Sequence, residues 1–70
     1  MSKKNALQQY WDRAEMPLRR EVAEKAGVSY LWLYQLANGY GNASPKIAVA
    51  IEKATGGIVK RADILPDIFG

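Results

Sequence analysis

The stretch RREVAEKAGVSYLWLYQLAN, Arg19–Asn38, decides how this chain folds. Its first half carries Val22, Ala23 and Ala26 along one side of a helix that begins near Pro17, with Leu18 completing the stripe. Proline is favoured at the first helical position, where its missing N–H costs nothing. Gly27 is the predicted stop, because glycine adopts the left-handed conformation that ends a helix abruptly. Ser29 is a good cap for a second helix running to about Ala37 or Asn38, with Gly39 as its stop. That helix contains five large apolar or aromatic residues in a row, Tyr30 to Tyr34. At 100° per residue they cannot share one face. Leu33, Leu36 and Ala37 cluster on one side, with Ser29 and Tyr30 at its edges and Trp32 on a flank. Leu31, Tyr34, Gln35 and Asn38 make a second stripe nearly opposite. This outer stripe has no charged residue, so it is not an ordinary solvated face. Clustered apolar surface of that kind marks an interaction site.

Working outward, the first helix spans roughly Lys4 to Ala14, with Leu7, Tyr10, Trp11 and Ala14 at i, i+3, i+4 and i+7. After a loop at Tyr40–Ala43, a fourth helix has Ser44 as cap, Pro45 at its first position and Gly56-Gly57 as terminator. Its apolar stripe is Ile47, Ala50, Ile51 and Ala54. Beyond it, Arg61–Leu65 reads as one further helical turn before Pro66, the alternative being a short strand at Gly57–Val59. The expected fold is all-α: a compact bundle of four or five helices with short connections, one domain over residues 1–70.

Composition sets the remaining bounds. The chain has 70 residues, no Cys and no His, with ten Lys and Arg against seven Asp and Glu for a net charge of +3. A domain of this size has a thin core and no disulfide or zinc staple to help it. The charge leans mildly toward polyanions. No apolar run approaches the 18 or so residues of a membrane span, and MSKK is not followed by a signal-type apolar stretch, so the expected location is the cytoplasm. With no nucleophile–base pair, carboxylate dyad or phosphate loop, neither catalysis nor a cofactor nor a metal is expected.

The two central helices have the spacing of a helix-turn-helix. Such a unit needs a small residue where its helices touch, here Ala23. It needs a tight turn four residues later, here Gly27, and buried aliphatics beyond it, here Val28, Leu33 and Leu36. The steep crossing projects the second helix outward, and a DNA major groove is wide enough to receive it. Gln35 is the candidate specific reader, since a carboxamide pairs bidentately with adenine N6 and N7. Leu31 is placed to pack on thymine methyls, and Tyr34 to offer both a ring and a hydroxyl. Tyr30 either contacts the DNA or finishes the core. Candidate phosphate contacts are Arg19 and Arg20 at the start of the second helix, Ser29 and Ser44 with Lys46 at helix starts, and Asn38 at the far end. Lys3 and Lys4 read as a loose terminus. One recognition helix covers only about 4 to 5 base pairs, so a homodimer on double-stranded DNA is expected. The apolar residues Ile64, Leu65, Ile68 and Phe69 either cover the core or form the dimer contact. The rival reading is a protein-interaction module that uses the same uncharged face.

Arg19–Asn38 resembles the helix-turn-helix of the Cro/CI class of phage repressors. The downstream segment NASPKIAVAIEKATGGIVKRADILPDIF is similar to the tail of the YdaS-like branch, small Cro-type proteins often labelled antitoxins. The matching residues are Pro45, Ile51, Glu52, Lys53, Ala54, Thr55, Gly56, Gly57, Pro66, Asp67 and Ile68. The likeness covers about Leu18 to Phe69. Three positions depart from it: Arg19 where the family often has Gln, Leu36 where it often has Trp, and Leu65 in place of the usual Arg before Pro66. The resemblance implies a DNA-binding regulator of phage or prophage origin, a repressor of a nearby promoter; it assigns no toxin partner.

Overall fold

The computed structural model describes residues 6–69. Six helices follow one another: α1 (Ala6–Arg13), α2 (Met16–Ala26), α3 (Tyr30–Ala37), α4 (Pro45–Ala54), α5 (Arg61–Ile64) and α6 (Pro66–Phe69). No strand occurs among the described residues, so the alternative of a strand at Gly57–Val59 is set aside. Lys3 and Lys4, and the expected start of the first helix at Lys4, lie outside the described residues.

Three helices end by the same device. At Gly27, φ is +76°; its N–H donates to Glu24 O, and the Val28 N–H donates to Ala23 O at 3.0 Å. Gly39 and Gly56 repeat this arrangement, their following N–H groups reaching Gln35 O and Glu52 O. In each case the left-handed residue folds the chain back so that two otherwise orphaned carbonyls are satisfied. Starts are equally local. The Ser29 hydroxyl accepts the Trp32 N–H at 3.1 Å, and the Ser44 hydroxyl accepts the Ile47 N–H at 3.3 Å.

The core is Leu7, Trp11, Val22, Ala23, Ala26, Leu33, Ala37, Ile51 and Val59. It draws on α1 to α4 and on the turn after α4, with α2 and α4 sharing the most extensive contact. Two expectations need correction. Leu18 is 39% exposed rather than buried, because it lines an open groove with Tyr10, Arg13 and Ile58. On α4 the deepest line is Ala48, Ile51 and Thr55, while Ile47, Ala50 and Ala54 are half-buried. Ala48 and Ile51 are equally buried. The buried Thr55 hydroxyl accepts the Val59 N–H at 3.1 Å and donates to Glu52 O at 3.2 Å, which carries Val59 into the core.

The last two helices are single turns. Asp63 accepts the Lys60 N–H and opens α5. Arg61 Nε donates to Glu52 Oε1 at 2.6 Å, and the guanidinium lies 5.6 Å from the Phe69 ring centroid. Pro66 begins α6, a helix the sequence reading did not include. Ile64 packs against the core, Leu65 and Phe69 are half-buried, and Ile68 is 58% exposed.

Candidate nucleic-acid interface

The turn at Gly27 and the cap at Ser29 fix where α3 begins; burial of Leu33 and Ala37 fixes how it is rotated. Both residues have no accessible surface. Leu31 and Tyr34 are thereby turned out, 62% and 45% exposed, and Gln35 is exposed beside them. The face they form lacks charge and offers an aliphatic surface, a phenol and a carboxamide. It is suited to non-covalent recognition.

The other candidate residues fall into two groups. Arg20 and Lys46 are exposed, as are Ser29 and Ser44 at their helix starts. Arg19, Asn38 and Tyr30 are engaged within the protein. Asn38 Nδ2 donates to Tyr34 O at 2.8 Å and closes the end of α3. Tyr30 is half-buried: its hydroxyl donates to Met16 Sδ at 3.0 Å, and its ring centroid lies 5.3 Å from that of Trp11. Tyr30 thus packs against the edge of the core. Arg19 Nε donates to Trp11 O at 3.0 Å, with the guanidinium 4.8 Å from the Trp11 ring centroid.

Sequence reasoning missed the support beneath this face. Trp11, assigned only to the core stripe of α1, meets Tyr34 edge to face at 6.2 Å, and Tyr30 and Tyr34 lie 6.5 Å apart with near-parallel rings. One cluster therefore joins α1, α2 and α3. No spacing rule links Trp11 to Arg19 or Tyr34, since those pairs sit on different helices. The clue was compositional: aromatic residues recur at i and i+4 in α3, opposite a tryptophan on a neighbouring helix.

A prophage transcriptional regulatory protein of Escherichia coli (strain K12) is 33% identical to the chain over 63 residues, which are 90% of this chain and 96% of that relative. No family model and no solved structure matches the chain. Among the described residues no helix is long and apolar enough to cross a membrane.

Proposed function

The chain belongs to the family of prophage transcriptional regulators, and from that premise we propose that it acts as a Cro-like repressor, binding double-stranded DNA with α3 in the major groove. The observation that carries this reading is the outward face of α3. Leu31, Tyr34 and Gln35 are exposed together on a helix whose Leu33 and Ala37 are fully buried. A helix held so rigidly, and presenting no charge at its centre, suits the edges of bases rather than phosphates.

In this reading Gln35 pairs with adenine, and Leu31 and Tyr34 meet thymine methyls. Arg20 and Lys46 hold phosphates from either side, and the N-terminal ends of α3 and α4, at Ser29 and Ser44, add backbone N–H donors. The repressor binds as a homodimer on two half-sites, with the contact centred on the exposed Ile68 beside Leu65 and Phe69. Its place in the YdaS-like branch belongs to the same proposal.

The deciding experiment is selection of bound sequences from a random duplex library with the wild-type protein, Gln35→Ala and Tyr34→Ala. Enrichment of a defined motif by the wild type, altered at one or two positions by each variant, supports the reading. Absence of duplex binding even at low salt rejects it and favours a protein partner for the α3 face.

A further inference from the structure

We propose that Arg19 serves DNA recognition through Trp11, as a positioning residue that sets Tyr34, and does not itself neutralise a phosphate. This rests on the reading that α3 faces the bases. A basic residue at the start of α2 would ordinarily be assigned to the DNA backbone. Arg19 is instead half-buried, with its Nε committed to the Trp11 carbonyl and its guanidinium against the Trp11 ring. A planar, delocalised cation can lay its flat face on the ring while its Nε–H donates to the carbonyl; a lysine ammonium, a compact and strongly hydrated charge without that fork, does not reproduce the arrangement.

Trp11 passes this constraint on. It is 3% exposed, and its ring borders both Tyr30 and Tyr34. Tyr30 is held at its other end by Met16. Tyr34 is thus the outermost member of a train running from α2 through α1 to α3, set edge to face with Trp11 and near-parallel to Tyr30, yet 45% exposed. An isolated surface tyrosine would exchange rotamers and lose that freedom on binding. One braced against a fixed indole is ordered beforehand, which sharpens discrimination between bases without adding a contact.

Phosphate contact and positioning differ in their salt signature. Arg19→Lys keeps the charge and removes the brace. The expected result is a fall of about five-fold or more in discrimination at the base pair that Tyr34→Ala alters, the lower range of what one base pair supplies, with the slope of log K against log salt unchanged. Retained preference in Arg19→Lys, or a slope smaller by about 1 per bound copy (about 2 for the dimer) in Arg19→Ala, marks a phosphate contact and overturns the proposal. A measurement on the wild-type protein covers the case in which these variants melt. The Arg19 Nε–H proton should show an upfield ring-current shift from Trp11 and keep it at saturation with the selected duplex. Loss of that shift on binding overturns the proposal while leaving the α3 reading intact. If no α3 resonance responds to duplex and no motif is enriched, the α3 reading itself has failed, and the proposal falls with it.

Discussion

Ala23 and Gly27 divide the work of holding α2, the turn and α3 together, and substitutions at the two should fail differently. Ala23 is 3% exposed, and its carbonyl receives the Val28 N–H across the turn. Ala23→Leu forces extra volume into a closed contact, at a cost of about 1–3 kcal/mol. In a domain of this size that lowers Tm by about 4–8 °C per kcal/mol. At Gly27 an added methyl group would meet no non-adjacent atom within 4 Å. Gly27→Ala therefore carries only the left-handed backbone penalty of about 1–2 kcal/mol. Thermal melting of both variants checks this, and a small shift for Ala23→Leu would count against the close helix contact. Tyr10 supplies a pH prediction. Burial raises its phenol above the ordinary range near 10, the Glu21 carboxylate adds to this, and Lys25 partly opposes it. The folded protein holds that proton longer than the unfolded chain does. The stabilisation is thus complete below about pH 10 and is lost as pH rises through the higher folded value. With no His in the chain, no side chain has an ordinary pKa between pH 6 and 8. The stability difference between wild type and Tyr10→Phe should be constant from pH 6 to 9 and change only above 10.

At the scale of elements, what could be read from the sequence was what is encoded within a few consecutive residues. Pro45, Ser29, Ser44, Gly27, Gly39 and Gly56 mark helix ends by local chemistry, and each stands where the chain turns. The face of α3 was legible because its 100° periodicity is unaffected by neighbours. The face of α4 was not, because α4 is covered on more than one side: Ala48 is fully buried while Ile47, Val49, Ala50 and Ala54 are half-buried. The turn of α6 also escaped, since Pro66–Phe69 is too short to show a period and takes its order from Leu65 and Arg61. The aromatic brace was illegible for the same reason, being assembled from three helices. Caps offer the sharpest test at this scale. α3 has only eight residues, so the bond from Ser29 Oγ to the Trp32 N–H is a large part of its end structure. Ser29→Ala should cost about 0.5–2 kcal/mol. Ser44→Ala should cost less, because its bond is longer at 3.3 Å. Chemical denaturation of the two variants ranks them; the reverse order would show that α4 depends on its cap more than α3 does.

The dimensions of the whole molecule bear on how it can read a site. The backbone measures 30 × 29 × 21 Å. Two half-sites on one face of B-DNA repeat about every 34 Å. Two bodies of this size, set one helical turn apart, come close enough for side chains at their facing ends to meet, without any extended arm. In the proposed complex each copy turns two exposed cations to phosphates, Arg20 and Lys46, while Ser29 and Ser44 add neutral donors. A dimer therefore neutralises about four phosphates, and log K should fall against log salt with a slope of about −3.6, whereas a single copy would give about −1.8. Ile68→Asp separates the two cases. It places a charge on an exposed residue of the proposed contact, so melting of the free protein should change little. If Ile68 joins the copies, the slope of the variant drops toward that of a single copy, and protection shrinks from two half-sites to one. If the wild-type slope is already about −1.8 at every protein concentration, one copy is reading DNA alone. Its 4 to 5 base pairs would then be too few to select an operator, and selectivity would have to come from a second protein bound beside it.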